Sequence, residues 1–333
     1  MQKVDKKIRH ILIGGNGFLG KAIVSKIKLL SNHDFLVVDI DQTPSKYIDQ
    51  NKYIQCDISN IKDVNDIPFK KGDVIHHLAS KLIIPNKPRF NRYHFFAATS
   101  ILGTQNIINH MKRKKLKNLI FWSTDMVYGI QNKFPISEEA IPRPLGDYGN
   151  TKLIAENIIM QEVNNNNINC TIFRPRLIIG PGRLGILKKL FWLARHNLPI
   201  PIIGNGENIF QFVSVDDCAK ASLKAAMQNC PSEVYNLGSS NPVKTKILLK
   251  CFLNNIGSKS ILVPLPSKFV KSILAVLNFL KISPMDVEQF KIADKNMFLS
   301  TAKVKNKLGW VSNDQDLEML CAAYLTYKDS NDT

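Results

Sequence analysis

Two side chains spaced one helical turn apart could exchange a proton with an alcohol. Tyr148 and Lys152 stand at positions i and i+4, which places a phenol and an ammonium on one face of a helix. A free phenol titrates near pH about 10, and a cation beside it favours the phenolate and lowers its pKa. Thr124 follows the apolar segment 116–122 and could bind the substrate oxygen beside this phenol. These three residues therefore predict general acid–base chemistry at a carbinol, with all three as catalytic residues.

The same spacing of a tyrosine and a lysine occurs a second time, at Tyr324 and Lys328. The spacing alone therefore does not identify a site, and the surrounding sequence has to separate the two. A predicted strand that ends in Ser123-Thr124-Asp125 precedes Tyr148, whereas no such strand precedes Tyr324. We expect the chemistry at the first pair only.

A glycine-rich turn between a strand and a helix predicts a binding site for a dinucleotide. Gly14, Gly17 and Gly20 follow the apolar segment 8–13 in the sequence GGNGFLG. Glycine permits the tight turn and the close approach of backbone to a pyrophosphate, and the helix N-terminus supplies amide donors. The same letters nearly match a mononucleotide P-loop, but Ala22 stands where a Ser or Thr hydroxyl would hold Mg²⁺. The dinucleotide interpretation is therefore favoured.

A carboxylate at the end of the second predicted strand indicates which dinucleotide. Asp39 lies about twenty residues past the glycines, where it can accept hydrogen bonds from both hydroxyls of a ribose. Its charge would repel a 2′-phosphate, so NAD is the predicted cofactor rather than NADP. Asp57 ends the third strand and is placed to contact the adenine. The alternative, that both carboxylates only cap their strands, stays open at this point.

Apolar segments alternate with helical segments along the first half of the chain. Strands that alternate with helices predict parallel βαβ units with right-handed crossovers. The predicted strands are 8–13, 35–40, 52–57, 73–79 and 116–122, and the longest predicted helices are about 92–111 and 148–163. The predicted fold class is α/β, a doubly wound parallel sheet of the Rossmann type with a smaller C-terminal substrate-binding lobe.

The regular spacing of strands ends after Arg174-Pro175, where Pro and Gly become more frequent. We place the dinucleotide-binding domain at residues 1–178, with 208–240 returning to it. The substrate-binding lobe is then formed by 179–207 and 241–333.

The net charge of +18 favours anionic partners through long-range attraction. The one concentrated basic run, Lys112–Lys115, has no interleaved aromatic residues and is typical of a solvated turn, so nucleic acid is not favoured. A phosphorylated small substrate or an anionic lipid surface suits the charge equally well.

Cysteine and histidine spacing gives no sign of a metal site or of disulfides. No cysteine pair has C-x-x-C spacing, and His76 and His77, adjacent on a strand, must point to opposite faces of the sheet. The first fifteen residues contain no apolar segment before a small-residue cleavage site, so we expect no secretory signal and a cytoplasmic protein. The six cysteines, predicted to be reduced and mostly buried, are Cys56, Cys170, Cys218, Cys230, Cys251 and Cys321.

Two segments of the predicted lobe are amphipathic or apolar. Residues 269–280 (FVKSILAVLNFL) are too short to span a bilayer, and residues 184–198 combine lysines with Leu190, Phe191 and Trp192. Either segment could rest on a membrane surface as a peripheral contact, or form a core helix of the lobe.

Taken together, the motifs carry a specific resemblance. Between residues 8 and 240 the chain has, in order, GGNGFLG, Asp39, Asp57, HHLAS, STDMVYG, YGNTK, FRPRLIIGPG, FVSVDD and YNLGS, with a looser NKLGW at 306–310. In this set it resembles the extended short-chain dehydrogenase/reductase superfamily, the NAD-dependent epimerase/dehydratase group. The resemblance implies NAD, a dinucleotide fold with a C-terminal substrate lobe, often a homodimer, and frequently a sugar-nucleotide substrate.

The resemblance also assigns roles by position. Gly14, Gly17 and Gly20 would hold the pyrophosphate, while Ala79 and Ser80 would lie along the dinucleotide. The full set of candidate cofactor-binding residues is Gly14, Gly17, Phe18, Leu19, Gly20, Asp39, Asp57, Ile58, Leu78, Ala79, Ser80, Tyr148, Lys152 and Pro175.

Some positions depart from the family pattern. Sugar-nucleotide 4,6-dehydratases have a glutamate after Ser-Thr-Asp that removes a carbon-bound proton, but this chain has Met126, so standard 4,6-dehydration is not expected. Ser100 replaces an asparagine of the helix that precedes residue 116.

A third departure concerns the substrate phosphates. Phe210 stands where many sugar-nucleotide enzymes place an arginine on the diphosphate. Losing that bidentate partner weighs against a nucleotide diphosphate unless Arg176, Arg183 or Lys188 compensates.

Three functional interpretations follow. The leading hypothesis is a sugar-nucleotide 4-epimerase that oxidises a hydroxyl transiently and returns the hydride. The second is an NAD-dependent dehydrogenase or reductase of a hydrophobic alcohol or ketone, similar to 3β-hydroxysteroid dehydrogenases. The third, a non-catalytic NAD-binding regulator or RNA-binding protein, is disfavoured because a pure sensor needs no phenol beside the nicotinamide.

Overall fold

The computed structural model describes residues 7–183, 185 and 187–332, with side chains described as far as Asp329. Within these residues the strands run as follows: β1 (Ile8–Ile13), β2 (His33–Asp39), β3 (Tyr53–Gln55), β4 (Val74–His77), β5 (Asn118–Trp122), β6 (Asn169–Pro175), β7 (Leu177–Ile179), β8 (Ile200–Ile203), β9 (Phe212–Ser214), β10 (Glu233–Leu237) and β11 (Leu262–Leu265).

Seven of these described strands form one parallel sheet in the order β10-β6-β5-β4-β1-β2-β3. The order reverses between β1 and β4, and in such sheets the crevice at the reversal point binds ligands. The remaining strands pair as β11 with β8 and β7 with β9. The predicted fold class is confirmed.

Helices cover both faces of the sheet and build the second lobe. Their bounds are α1 (Phe18–Ile27), α2 (Ile61–Asn65), α3 (Arg92–Ala97), α4 (Thr104–Arg113), α5 (Asp147–Asn164), α6 (Leu187–Arg195), α7 (Val215–Met227), α8 (Thr245–Asn255), α9 (Ser267–Phe279), α10 (Val287–Ile292), α11 (Ala302–Leu308) and α12 (Asp316–Asp332). Short 3₁₀ turns occupy Gln50–Lys52 and Asp125–Val127.

The apolar end of β1, residues 11–13, reflects burial on both faces of the sheet. Ile11 and Ile13 pack into the core beneath α4 and α5, whereas Leu12 packs into the core beneath α1 and α7. Alternate residues of a strand point to opposite faces, so a strand with helices on both sides has no polar face. The two layers fix the carboxyl ends of the strands as one rigid edge.

The structure refines two predicted elements. The predicted strand 52–57 contributes only Tyr53–Gln55 to the sheet. The predicted helix 92–111 is α3 and α4 joined by a π-helical segment, Ala98–Gly103, which contains Ser100. The predicted helix 184–198 begins at residues outside the described part of the chain and is described as α6.

The second lobe has an aromatic core that contains the competing tyrosine. Tyr324 packs against Phe191 and Phe252 with ring centroids 5.5 and 5.6 Å apart. Tyr324 is thus a core residue of this lobe, and the expectation of chemistry at the Tyr148 pair only stays a prediction. The strand β10 joins the main sheet, but the boundaries proposed for the two domains stay a prediction.

Histidines, cysteines and apolar helices lie as follows. His76 bonds His10 and Ser222, while His77 bonds Thr104 on the other face, and the described residues contain no group of three or more metal-ligating side chains.

All six cysteines are free thiols, and four of them are buried. Among the described residues, no helix is both long enough and apolar enough to cross a membrane.

Candidate active site

The sequence-predicted site residues converge on the carboxyl edge of the sheet. Because parallel strands end at the same edge, the turns after them lie side by side. Each of the first six strands leads to candidate residues: the glycine turn with Phe18 and Leu19 after β1, Asp39 at the end of β2, Asp57 and Ile58 after β3, Leu78 to Ser80 after β4, Thr124 after β5, and Pro175 at the end of β6. Tyr148 and Lys152 approach the same edge from α5.

The glycine turn leaves room for backbone and nothing else. Gly14 has φ +83°, and a Cβ there would stand 2.5 Å from the Ala79 backbone nitrogen. A Cβ on Gly20 would stand 2.3 Å from the Gly15 carbonyl oxygen. Gly17 precedes α1 and offers no side-chain cap to the first amides of that helix. This is the arrangement that binds a pyrophosphate.

Asp39 closes the turn from the neighbouring strand. One carboxylate oxygen accepts from the Asn16 amide at 2.8 Å and the other from the Ile40 amide at 2.8 Å. Burial raises the pKa of Asp39, and these amide hydrogen bonds oppose the rise. The Asn16 side chain also bonds Asp41 and the Ser45 amide, which fastens the loop after β2 to the glycine turn.

The two remaining adenine-side candidates lie at the end of the third strand. Asp57 accepts from the Ser59 amide at 2.9 Å and from the Ser59 hydroxyl at 2.7 Å, which holds its carboxylate in place. Ile58 is buried beside Gly103, where an added Cβ would stand 2.6 Å from Ile58 Cδ1. Their contact with a cofactor stays a prediction.

Lys152 is fully buried one turn after Tyr148 on α5. Its Nζ donates to the Trp122 carbonyl oxygen at 2.9 Å and stands 4.8 Å from the centre of the Phe121 ring. Burial lowers the pKa of Lys152 to about 8, and Glu156 opposes this. The ammonium is therefore held at the end of β5, next to Thr124.

The phenol of Tyr148 contacts a second candidate residue. Burial raises its pKa, whereas a hydrogen bond with the Ser80 hydroxyl and the positive charge of Arg183 lower it. From the sequence, the ammonium of Lys152 is expected to lower this pKa; in the structure Ser80 and Arg183 are the groups that lower it, and burial raises it more. The protein's own groups leave Tyr148 protonated at neutral pH and hydrogen-bonded to Ser80.

Thr124 caps the short 3₁₀ turn at the end of β5. Its hydroxyl oxygen accepts from the Met126 amide at 3.2 Å and donates to Asp125 at 3.3 Å. Asp125 is in turn paired with Arg176 at 2.6 Å, and both side chains are buried. The position of Thr124 is thus set by a buried ion pair.

That ion pair removes one suggested phosphate ligand. The sequence offered Arg176 as a replacement for the arginine missing at position 210, but its guanidinium is buried against Asp125 and lies 4.1 Å from the centre of the Phe210 ring. Arg183 is placed differently. It is half-buried, stands 5.4 Å from the Phe18 ring centre and acts on the Tyr148 phenol, so it lies between the glycine turn and the candidate catalytic helix.

The structure adds a residue that the sequence did not indicate. Glu288, on α10, accepts from the Tyr148 amide at 3.0 Å and from the Gly149 amide at 3.1 Å, and so caps α5. Added Cβ atoms at Gly146 and Gly149 would stand 2.6 and 3.2 Å from its side chain. Burial raises the pKa of Glu288 to about 7, and the negative charges of Asp286 and Asp147 add to the rise. The one sequence signal for such a residue is that α5 begins after Gly146, which has no side chain to cap the first amides of the helix.

Known proteins resemble this chain over most of its length. A putative UDP-glucose 4-epimerase of Methanocaldococcus jannaschii is 28% identical over 256 residues, which cover 74% of this chain and 82% of that protein. The sterol-4-alpha-carboxylate 3-dehydrogenase, decarboxylating, of Candida albicans is 27% identical over 231 residues, 66% of this chain and 64% of that protein.

Solved structures share the fold. A UDP-glucose 4-epimerase from Thermotoga maritima, solved with UDP-glucose, aligns with a TM-score of 0.78 at 22% identity and covers 97% of this chain and 99% of its own. The sequence model of the NAD dependent epimerase/dehydratase family matches residues 10–238. With the predicted family and NAD as cofactor thereby confirmed, the chain is an enzyme that belongs to the NAD dependent epimerase/dehydratase family.

Proposed function

We propose that this enzyme epimerises a sugar nucleotide by transient oxidation of one of its hydroxyl groups. The observation that carries the proposal is the juxtaposition of the Tyr148 phenol, its Ser80 partner and buried Lys152 at the edge that holds the glycine turn. The relatives named as UDP-glucose 4-epimerases support the class of substrate.

The chain's geometry fits an NAD molecule along this edge. The turn at Gly14 and Gly17 has the close backbone and the helix start without a side-chain cap that suit a pyrophosphate, and Asp39 offers a carboxylate to the adenosine ribose. Asp57 and Ile58 would line the adenine, Leu78, Ala79 and Ser80 the middle of the molecule, and Pro175 the nicotinamide side. Lys152 would hold the ribose next to the nicotinamide.

The chain's own residues supply the proton transfer. NAD, when bound, supplies the hydride acceptor and a positive charge. Tyr148 takes the substrate's hydroxyl proton, and the charges of Lys152 and Arg183 stabilise the phenolate that results. Ser80 and Thr124 orient the substrate oxygen, and Thr124 is itself fixed through Asp125. Return of the proton from Tyr148 to the substrate oxygen completes the part of the cycle that the chain's own residues perform.

Arg183 and the basic face of α6 are the proposed phosphate ligands. Arg183 is half-buried beside Phe18, and burial lowers its pKa. A guanidinium binds phosphate oxygens in a bidentate manner, which strengthens in a partly dehydrated site. Lys188 and Lys189 follow on α6. This assignment replaces Arg176, whose guanidinium is engaged with Asp125.

A second candidate is NAD-linked oxidation of a hydrophobic alcohol. Phe210, in place of an arginine, lies against the guanidinium of Arg176 and 5.6 Å from the ring of Phe212, which makes this wall of the site apolar. The sterol-4-alpha-carboxylate 3-dehydrogenase relative favours the same class of substrate. The two candidates differ in whether the cofactor is recycled.

The test is a comparison of cofactor turnover with two kinds of substrate. Purified enzyme is first examined by native mass spectrometry for co-purified dinucleotide, and then assayed with UDP-glucose and other nucleotide sugars and with steroid ketones plus NADH. An epimerase converts the sugar with no net change in absorbance at the NADH band. Net consumption of NADH with a hydrophobic ketone would instead establish the second candidate.

Tyr148→Phe is the control variant. Loss of one phenolic oxygen should reduce turnover by about a hundredfold or more, in keeping with general acid–base catalysis, while NAD binding persists. No turnover of either class by wild-type enzyme that binds NAD would contradict both candidates. Full activity of Tyr148→Phe would contradict the role of the phenol.

A further inference from the structure

The helix α9 presents an apolar face that no described residue covers. Phe269, Ile273, Val276 and Leu280 follow one another at helical spacing, and all are exposed, Phe269 by 66%. Phe279 is 82% exposed beside them. Soluble proteins rarely leave so many large apolar side chains together in water, so this face indicates a contact.

The opposite side of α9 is fixed to the protein. Leu274 is buried, and Lys271 points inward, where it donates to the Lys291 carbonyl oxygen at 2.7 Å and pairs with Asp294. The helix is therefore held in one orientation, and its exposed face is not the result of a detached segment.

A second segment continues the apolar surface. Leu82, Ile84, Phe90 and Tyr93 are exposed on the loop after β4 and at the start of α3, Phe90 by 75%. Asn86 of this loop donates to the Ser283 carbonyl oxygen at 2.6 Å, just beyond the end of α9. The loop and the end of α9 also line one cavity of about 170 Å³. Its other walls are Gly146 and Asp147, directly before Tyr148, and residues 286–288 at the start of α10.

The charges carried by the two exposed segments themselves are positive. Neither residues 74–124 nor residues 234–285 contain an aspartate or a glutamate. The cations of the two exposed segments and their ends are Lys81, Lys87, Arg89, Arg92, Lys268, Lys271 and Lys281. Of these, Arg92 and Lys271 are paired with acids from elsewhere in the chain. The rest form a basic rim around an apolar centre.

We propose that this surface, formed by the exposed face of α9 and the loop 82–93, docks on a bilayer that contains anionic lipid. Apolar side chains on a fixed helix can enter the headgroup boundary while lysines at the rim attract anionic headgroups. A second copy of the chain fits less well, because a two-fold contact would bring the same lysines face to face. Docking places the cavity beside Tyr148 at the membrane surface.

The test is flotation of the full-length protein with lipid vesicles. One set contains phosphatidylcholine alone, and the other contains about one third phosphatidylglycerol. Binding should occur to the anionic set and weaken as salt rises. The double variant Phe269→Ser/Phe279→Ser should bind at least about tenfold more weakly, because both side chains enter the membrane. The matched control is Leu29→Ser/Leu325→Ser, which removes two exposed apolar residues elsewhere.

A charge variant keeps the test valid if the serine variant folds poorly. Lys268→Glu/Lys281→Glu should abolish binding to anionic vesicles, whereas Lys114→Glu/Lys115→Glu, on an exposed turn, should leave most of it. No binding of wild-type protein at low salt would overturn the proposal. Equal losses of vesicle binding in the two lysine double variants would also overturn it. A wild-type dimer that becomes a monomer in Phe269→Ser/Phe279→Ser would do the same, because the surface would then be a contact between two copies. Because flotation requires no turnover, the outcome is independent of the proposed function.

Discussion

Replacing Glu288 by glutamine tests how the C-terminal lobe holds the helix that carries Tyr148. The Glu288 carboxyl is 2% exposed, and burial raises its pKa from 4.5 to about 7. The folded state therefore holds a proton that the unfolded chain loses between these values. The stability contributed by this proton is complete below pH 4.5 and is lost as the pH rises through about 7. The shift corresponds to a loss of about 3 kcal/mol.

Glutamine has the shape of the protonated carboxyl and carries no charge. At pH 5 both side chains are neutral, but the glutamine NH2 group cannot accept from the second backbone amide, so Glu288→Gln should be less stable than the wild type there by about 1–3 kcal/mol. Between pH 5 and pH 8 the variant should gain up to about 3 kcal/mol relative to the wild type, because only the wild type loses the stability of its proton. Its activity at pH 8 should nevertheless fall, since one amide oxygen cannot accept from both the Tyr148 and Gly149 amides as the carboxylate does.

The assay is urea unfolding at pH 5 and pH 8, monitored by tryptophan fluorescence. The difference in the free energy of unfolding between the two pH values is compared across variants. Other titrating groups cancel in that comparison. Exposed Glu139→Gln is the matched control and should follow the wild type. An identical pH dependence of stability in Glu288→Gln and wild type would refute the reasoning.

Three further substitutions probe the site. Lys152→Met should abolish activity. Its free energy of unfolding in urea at pH 7 should be equal to that of the wild type or higher by up to about 3 kcal/mol, because burial, which lowers the pKa of Lys152 to about 8, penalises the ammonium below that pH. Asp39→Ser should weaken NAD binding by roughly tenfold to a hundredfold in calorimetric titration and reduce the preference over NADP, because a charged acceptor is lost. Asp125→Asn should destabilise the protein by about 3–5 kcal/mol in urea unfolding, since it leaves the buried Arg176 guanidinium without its anion, and a double replacement of the pair by apolar residues should recover most of the loss.

The sequence predicted the sheet and its edge well because local signals specify both. The apolar runs, the glycine turn and Asp39 each depend on residues close together in the chain, and the structure places them as strands and turns at one edge. The family and NAD were predicted by the same motifs and are confirmed. The residue-level roles, the domain boundaries, the homodimer and the cytoplasmic location stay predictions.

The contacts that the sequence did not reveal join residues far apart in the chain. Glu288 caps α5 from 139 and 140 residues away, and Arg176 reaches Asp125 across 51 residues. No periodicity links such pairs, so the sequence leaves Arg176 among three possible phosphate ligands with Arg183 and Lys188. The burial that raises the pKa of Tyr148 is likewise absent from the local sequence, because it comes from the packing of several elements.

The central claim is that the glycine turn and the Tyr148 phenol face a single NAD molecule. A crystal structure of the enzyme with NAD tests this most directly. It should show the pyrophosphate on the amides at Gly17, the adenosine ribose on Asp39, and the nicotinamide ribose within reach of Tyr148 and Lys152. A dinucleotide bound elsewhere, or one whose nicotinamide points away from Tyr148, would contradict the account.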